Sequence, residues 1–331
     1  MGAASKIKKA AKSVINPLRA EIVLKKKAKE YAERFEKYSF QGEKCIDERQ
    51  YEAVITRWYH TIEKGLSYVD YRAGFGKDNV DKLLTAMENY VKAGYDEDAF
   101  FFKTALSCLA EYISKNREHG HEDAALKERV KALGGESNGC GGSLMVKPLP
   151  EEEVRRLPYK ELVMDRHSFR HFAGTPVELE RVEEAVALAQ YTPSACNRQG
   201  WKARIIADRE KIKAICENQN GNRGFGHEFD MMILVTGDLR CFNRSRELFQ
   251  VFVDGGMYAE SILNALHYYH IASVPLSASL TAEQEARVRP LVGMHDAEVP
   301  ILLIGIGCYP AEEECLVARS ERKKPEYEVI A

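Results

Sequence analysis

The side chains best suited to chemistry are concentrated in one short run of this sequence. The run reads DRHSFRHF and begins at Asp165. In an extended backbone Arg166, Ser168 and Arg170 project to one side, because side chains alternate between the two faces of a strand. Two guanidiniums that flank a hydroxyl suit a dianion, since each offers paired donors and a permanent charge. Spacing by itself favours a plainer interpretation, a polar segment packed by its two phenylalanines with the arginines in surface ion pairs.

A second polar segment follows, in which proline, hydroxyl and amide side chains form a loop closed by a tryptophan. It reads YTPSACNRQGW and runs from Tyr191 to Trp201. Amide side chains such as Asn197 and Gln199 can both donate to and accept from a planar heterocycle with a mixed hydrogen-bonding edge. The same residue types are also ordinary in loops. Either segment alone therefore leaves both interpretations open.

In this order and spacing, the two segments resemble the nitroreductase family. Its members carry an Arg-(Arg/His)-Ser-x-(Arg/Lys)-x-Phe run followed by Pro-Ser-x-x-Asn-x-Gln-Pro-Trp, and this chain has RHSFRHF and PSACNRQGW. The resemblance covers residues 160–331. It implies an FMN-dependent oxidoreductase that uses NAD(P)H as co-substrate and works as a homodimer. It also implies an α+β fold, with a nitroreductase-like mixed sheet flanked by helices.

The resemblance implies a role for individual side chains. The residues of the first run would hold the phosphate, the ribityl chain and the pyrimidine edge of FMN, and Arg170 would be the catalytic cation at that edge. The chain departs from the family pattern at Ala195 and Gly200, where serine and proline are usual. The residues that the resemblance assigns to cofactor binding are Arg166, His167, Ser168, Arg170, Ser194, Asn197, Gln199, Pro275, Arg322 and Lys323.

A flavin would carry the hydride chemistry itself, which fits a sequence without a catalytic triad or paired acids. The resemblance implies ping-pong hydride transfer to a small-molecule acceptor such as a nitroaromatic, a quinone or an activated alkene. An alternative from another class keeps the fold without turnover. In it, the protein is a flavin-binding or flavin-free accessory factor that docks on a membrane-associated assembly, for example one of polysaccharide biosynthesis.

Composition limits the function classes. The chain has 331 residues, of which 45% are hydrophobic and 30% charged, and a formal net charge of -2. This charge gives no overall attraction to nucleic acid, so we predict no nucleic-acid partner. The cysteines are scattered without a CxxC pair, which argues against a metal site or a disulfide framework and favours a cytoplasmic protein. No apolar run approaches the roughly 20 residues that a membrane-spanning helix needs.

The first 29 residues form a basic segment. Nine lysines and arginines there are offset by Glu21 alone, and apolar residues recur between them at about helical spacing. A basic amphipathic segment of this kind can lie on an anionic membrane surface. A frayed, solvated terminus is the alternative. Peripheral membrane contact through residues 1–29 is therefore a candidate property of this cytoplasmic protein.

Residues 30–140 have the pattern of a smaller all-helical module, which resembles the extension of nitroreductase-like proteins from polysaccharide-biosynthesis gene clusters. On its first helix His60, Glu63 and Lys64 share a face, and two ligands are too few for a metal site, so we predict a packing or inter-domain role. The glycine-rich stretch 134–143 predicts a linker, with a domain boundary near residue 140. The apolar stripes are Ile55, Tyr59, Ile62 and Leu66; Leu83, Leu84, Met87 and Val91; and Phe101, Ala105, Leu106, Leu109 and Ile113.

Residues 141–331 alternate between helical and strand patterns, and the resemblance makes them the FMN-binding domain. Capping boxes beginning at Thr175 and Thr281 predict helix starts. Met257, Ala259, Ile262 and Leu263 form a stripe on a long helix, which either faces a second subunit or is plain core. The predicted strands are 203–207, 231–235 and 300–305, and the predicted long helix is 248–269.

Overall fold

The computed structural model describes residues 19, 21–26, 28–29, 32–33, 45, 47–135, 139–242, 247–310 and 314–330. Most of the basic segment 1–29 lies outside the described residues, so its membrane contact stays a prediction. The helices are α1 (Glu48–Leu66), α2 (Lys77–Lys92), α3 (Phe100–Glu118), α4 (Ala124–Ala132), α5 (Glu151–Val154), α6 (Tyr159–Asp165), α7 (Leu179–Ala189), α8 (Arg209–Asn218), α9 (Gln250–Tyr268) and α10 (Ala282–Val292). The strands are β1 (Ser143–Val146), β2 (Trp201–Ile206), β3 (Met231–Asp238), β4 (Ala272–Ser277), β5 (Glu298–Gly307) and β6 (Cys315–Ala318).

The chain divides into two compact units. The helical unit comprises Ser39–Pro148, Ser168–His171 and Pro310–Ala331, and the sheet unit includes Leu149–His167 and Phe172–Tyr309. Four residues of the arginine-containing run thus belong to the helical unit, although the residues on either side of them belong to the sheet unit. The division into domains at residue 140 remains a prediction. Among the described residues, no helix is long and apolar enough to cross a bilayer.

The helical unit is built on α1, which packs against α2 and α3. The helix begins after Asp47, whose carboxylate accepts a hydrogen bond from the Gln50 amide and so caps the free N–H groups of the first turn. The apolar stripes predicted from the sequence supply the core, because a face repeating every three or four residues turns toward the neighbouring helices. Ile55, Tyr59, Ile62, Leu66, Leu83, Leu84, Met87, Ala105, Leu106 and Leu109 are all buried.

Two distant segments of the helical unit form an antiparallel strand pair. Strand β1 pairs with β6 from Ser143 opposite Ala318 to Val146 opposite Cys315, and α1 packs on both strands. The glycine-rich stretch before β1 is not free of contacts, as a simple linker would be. The Gly142 amide donates to the Glu63 carboxylate at 3.1 Å, and the Ser143 amide donates to Glu111 at 2.8 Å. These bonds attach the start of β1 to the helices.

The sheet unit contains a four-stranded sheet in the order β2-β3-β5-β4, and every neighbouring pair is antiparallel. The predicted α+β class is confirmed. Strand β5 lies inside the sheet, as its nearly continuous apolar sequence predicts. Strand β4 lies at an edge, which is where a strand containing proline is tolerated, because Pro275 has no N–H to donate. Strands β3 and β5 run beyond their predicted limits, whereas β2 begins two residues before its predicted start and ends one residue before its predicted end.

Helix α9 crosses one face of the sheet. It contacts all four strands and packs against α7. Ile233 and Val235 of β3 belong to the same buried cluster as Ile262 of α9. Gly255 lets the helix approach β5 closely, because a Cβ there would lie 2.9 Å from Cγ1 of Ile301. Met232 alternates to the opposite face, and α8 packs against β2 and β3.

One predicted helix start is confirmed and the other is wrong. At Thr281 the hydroxyl accepts from the Gln284 amide and the Gln284 side chain accepts from Thr281, which is a complete capping box. At Thr175 the box does not form, and α7 begins only at Leu179. The Val177 amide, which would lie in the first turn of the predicted helix, donates instead to the Asp230 carboxylate at 2.7 Å. A tertiary contact therefore displaces the helix start.

Candidate functional site

The first part of the arginine-containing run is held by buried polar groups of the sheet unit. It begins where α6 ends, and Arg166 has extended backbone angles of φ -68° and ψ 118°. The Asp165 carboxylate lies 3.1 Å from Nε2 of the buried His267, whose Nδ1 lies 3.0 Å from the Tyr309 hydroxyl. Nδ1 of His167 lies 2.7 Å from the carbonyl oxygen of Asp165. These contacts fix the backbone from which the half-buried Arg166 projects.

Burial raises the pKa of Tyr309; the Asp165 carboxylate adds to this rise, and Arg166 opposes it. Tyr309 therefore keeps its proton at neutral pH and can hydrogen-bond to His267. Because both rings are buried and joined to Asp165, this trio positions the start of the run rather than reacting itself.

The second part of the run belongs to the helical unit and contains a buried cation. Arg170 is only 9% exposed, and its Nη1 donates to the carbonyl oxygen of Ser168 at 3.3 Å. Burial lowers the pKa of Arg170, whereas Tyr68 and Glu63 raise it. The surface ion pair of the plainer interpretation is therefore wrong for Arg170. A desolvated guanidinium interacts with an anion more strongly than an exposed one does, because less water screens the attraction.

The loop before β2 has an unusual backbone. Positive φ angles of 54°, 55° and 50° occur at Cys196, Asn197 and Gln199. Residues other than glycine rarely adopt this backbone region. Each such residue costs roughly 1–2 kcal/mol relative to ordinary backbone. Strain of this kind persists only where the surroundings enforce it, and it concentrates at functional sites. The loop is therefore a candidate binding element.

Partly buried hydrogen bonds hold this loop conformation. The Ser194 hydroxyl accepts from the Gln199 amide at 2.9 Å, which closes the loop on itself. One carboxylate oxygen of Asp254, on α9, accepts from the Ala195 amide at 3.2 Å. The other accepts from the Gln250 side chain at 2.7 Å, and Asp254 is only 1% exposed. The loop is thus tied to the long helix beneath it.

The amide side chains of the loop form a chain of bonds that reaches the sheet. The Gln199 side chain donates to the Asn197 side chain at 3.1 Å and accepts from Gln190 at 2.7 Å. Gln190 in turn accepts from the Trp201 indole at 3.1 Å. The Trp201 ring stacks on Tyr258, with ring centroids 4.7 Å apart. Gln199 is therefore turned toward its own loop, in a position to shape it.

The run and the loop lie within one stretch of chain that has a counterpart among known proteins. Residues 163–220 match the model of the Nitroreductase family. The resemblance predicted from the two motifs is confirmed by this match, which contains both of them.

Several known proteins match about half of the chain. A protein of Archaeoglobus fulgidus provisionally named NADH dehydrogenase/NAD(P)H nitroreductase is 25% identical over 167 residues, which is 50% of this chain and 93% of the relative. Human iodotyrosine deiodinase 1 is 25% identical over 191 residues and is covered over 66% of its length. A solved structure of an FMN-dependent nitroreductase from Clostridium difficile is 17% identical, with a TM-score of 0.41, covering 46% of this chain and 89% of that one.

One departure from the nitroreductase motif has a structural cause. Gly200 stands where the family usually has proline, and a Cβ at this position would lie 2.8 Å from Cβ of Cys241. Such a distance is closer than real Cβ atoms approach, so the side chain must be absent here. The Gly200 carbonyl oxygen also accepts from the Asp238 amide at 2.7 Å. Nothing in the structure explains Ala195.

The remaining residues predicted from the nitroreductase motif lie in separate places. Pro275 is half-buried in β4, opposite Ile304 of β5. Arg322 and Lys323 are exposed in the helical unit, where Lys323 pairs with Glu52 at 3.0 Å. The structure brings Ser194, Asn197 and Gln199 together within the sheet unit, and Ser168 and Arg170 together within the helical unit.

The motif did not indicate several residues that hold the site. Asp254 is one of two acids in the largely apolar sequence of α9, and its position directly after three apolar residues is the signal that could have drawn attention to it. Gln190 and His267 lie outside both motifs, and the contact of Asp165 with His267 joins residues that are far apart in the chain. Among the described residues, no three His, Cys, Asp or Glu side chains are arranged to hold a metal ion.

Proposed function

We propose that the protein is an FMN-dependent NAD(P)H oxidoreductase that works as a homodimer. One observation carries the proposal: the strained polar loop and the arginine-containing run both lie in the segment that matches the Nitroreductase family. The family relation supports oxidoreductase activity in general. The cofactor and the type of acceptor go further and rest on the chemistry of the residues.

The donor set fits FMN, which combines a phosphate dianion with a ring whose pyrimidine edge mixes donors and acceptors. Arg166 and Ser168 are suited to the phosphate, because guanidinium and hydroxyl groups donate to its oxygens. The buried Arg170 is suited to the pyrimidine edge, where negative charge accumulates on reduction. Asn197, on the strained loop, offers an amide side chain to the ring.

Bound FMN would take a hydride from NAD(P)H and pass the electrons, in a separate half-reaction, to a nitroaromatic, quinone or activated-alkene acceptor. The protein's task is to bind, orient and stabilise. Ser194, Ala195 and Asp254 keep the loop in one conformation through the hydrogen bonds described above. A loop ordered before binding loses less conformational entropy when it binds a ligand.

An exposed apolar face of α9 supports the homodimer. Phe249, Phe252, Val253 and Met257 follow one another at helical spacing and are between 39% and 51% exposed. Four large apolar side chains on one face mark an interaction surface more often than a solvated one. Of the stripe predicted from the sequence, Ala259, Ile262 and Leu263 belong to the buried core, and Met257 belongs to the exposed face.

Placing a charge on this face is expected to dissociate the dimer. Phe252→Asp would bury a carboxylate without a partner in the interface, which costs several kcal/mol. Sedimentation velocity at micromolar concentration should show a dimer for the parent protein and a monomer for the variant. Leu239→Asp is the control, because Leu239 is 46% exposed and lies outside α9. A parent protein that sediments as a monomer would contradict the dimer, and a dimeric Phe252→Asp variant would contradict this interface.

The function itself is tested by the absorption spectrum of the purified protein. We expect a yellow protein, or one that becomes yellow with added FMN, whose flavin band disappears when NADH or NADPH is added without oxygen. Bound flavin that neither nucleotide bleaches would favour the non-catalytic accessory role. A protein that stays colourless in excess FMN would remove the proposal.

A further inference from the structure

Helix α4 of the helical unit is bordered by open space on both sides. It has nine residues, and of these only Leu126 and Val130 are buried. A cavity of about 400 Å³ lies on the side of α2, and a groove of about 470 Å³ lies between α4 and α3. Protein interiors contain few voids larger than a water molecule. The groove therefore has the size of a small-molecule site rather than of a packing defect.

The two sides of α4 differ in how their cations are paired. Toward α2, Nε of Arg129 lies 2.8 Å from the Glu88 carboxylate, and Nη1 lies 3.0 Å from that of Asp81. Acids of the protein itself thus match the cation on this side. The groove is lined by three exposed cations that form no ion pair among the described residues, namely Arg117 of α3 and Lys127 and Lys131 of α4.

The floor of the groove is apolar. Ala110 and Ile113 of α3 line it together with Leu126 and Val130 of α4. From Ala110 to Arg117 the groove follows α3 for about two helical turns, or about 10 Å. An apolar floor beside cations suits an amphiphile, because its chain leaves water while its charged head group stays at the rim.

Two acids also line the groove and limit the charge of the ligand. Asp123 is the N-cap of α4, and its carboxylate accepts from the Leu126 amide at 3.0 Å. Glu122 precedes it in the loop between α3 and α4. Apart from His121, the charged side chains of the lining are three cations and two acids, an excess of one positive charge. A head group with a single negative charge complements this excess.

We propose that the groove between α3 and α4 binds a free, single-chain amphiphile with one negative charge, of the chemical class of the fatty acids. The chain lies on Ile113 and Val130. The carboxylate is bound by Lys127 and Lys131, which are one turn apart on α4 and so can reach the same head group. The site is separate from the proposed flavin chemistry, because every residue of its lining lies between Ala110 and Gly135.

The experiment titrates the full-length protein with octanoate in a calorimeter. We expect one octanoate to bind per chain, with a dissociation constant below about 1 mM. Octanol has the chain without the charge, and acetate has the charge without the chain. Each is expected to bind at least about tenfold more weakly than octanoate, because the groove recognises both parts of the ligand. The result does not depend on whether FMN is bound.

Substitutions test the cations and the floor separately. Lys127→Met combined with Lys131→Met is expected to weaken octanoate binding about tenfold and to leave octanol binding unchanged. Lys127→Arg keeps the charge and should keep the affinity. Ala110→Leu fills the groove with a good helix former and should abolish binding of octanoate and octanol alike. Lys92→Met is the control, because Lys92 is an exposed lysine at the end of α2.

Every outcome decides for or against the groove. Octanoate binding that is lost in Ala110→Leu, weakened in the double lysine variant and retained in Lys92→Met supports the inference. Octanoate that does not bind, or binds no better than octanol, overturns it. Unchanged binding in Ala110→Leu and in the double lysine variant also overturns it, since the ligand then lies elsewhere. Binding to phosphatidylglycerol vesicles without binding of octanoate indicates a membrane-contacting surface and overturns it too. If Ala110→Leu fails to fold in urea titrations, the lysine variants decide.

Discussion

Arg166→Ala and Arg170→Met are each expected to weaken FMN binding by about 100-fold, which corresponds to about 3 kcal/mol. The size follows from the cost of removing one partner of a desolvated, charge-assisted contact, which is typically 2–5 kcal/mol. Arg170→Met should have the larger effect on the reduced cofactor, because Arg170 is buried and Arg166 is half-buried. Titration followed by quenching of FMN fluorescence measures the dissociation constant directly.

Arg240→Ala is the control for these substitutions. Arg240 is a surface arginine that pairs with Asp238 and has a side chain that is 61% exposed. Its loss should leave FMN binding unchanged. If Arg166→Ala and Arg170→Met also retain FMN like the parent protein, these two arginines do not hold the cofactor and the assignment of the run is wrong.

Asp254→Ala is expected to destabilise the protein by about 2 kcal/mol and to weaken FMN binding more than tenfold. The carboxylate is buried and accepts from the Ala195 amide and the Gln250 side chain, so its removal leaves two half-buried donors without an acceptor. The loop would then be free to relax from its positive φ angles. Urea unfolding gives the stability, and the FMN titration gives the affinity.

Glu260→Ala, on the same helix, provides the comparison. Glu260 makes a solvent-exposed contact with Asn264 at 3.1 Å, so its removal should change neither quantity. Asp254→Asn keeps one carbonyl acceptor and should fall between the parent and Asp254→Ala. A protein that loses stability in Asp254→Ala but binds FMN as before would show that the loop does not belong to the cofactor site.

Local sequence signals predicted much of the fold because they act through neighbouring residues. The apolar stripes of α1 to α3 repeat every three or four residues, and this is enough to predict both a helix and its buried face. The Thr281 capping box works in the same way, since both of its partners lie within one turn. The long apolar run of β5 likewise predicts an internal strand.

These local signals could not indicate contacts between residues that are far apart in the chain. The Thr175 box has the right residues, yet Asp230 binds the Val177 amide and moves the helix start to Leu179. The pairing of β1 with β6 joins two short strands separated by about half of the chain. No periodicity in either strand indicates its partner, because four residues carry too little pattern to specify a register.

The candidate site was predicted in its residue types but not in its geometry. Motif spacing drew attention to Arg170 and to the loop that contains Ser194, both of which belong to the cofactor site that we propose. Motif spacing could not indicate that Arg170 is buried and belongs to the helical unit. An alternation of side chains says which side of a strand each residue faces, and it does not say what covers that side. Nor could it find Asp254, whose role arises from the packing of α9 beneath the loop.

The pairing of β1 with β6 has a consequence for biosynthesis. Ser143 leaves the ribosome long before its partner Ala318, and Leu149–His167 and Phe172–Tyr309 are translated in between. Until then the nascent β1 has an exposed edge that could pair with another chain. Slow or stalled translation before Cys315 should therefore promote aggregation, and chaperones that cover extended segments should bind the growing polypeptide in this interval.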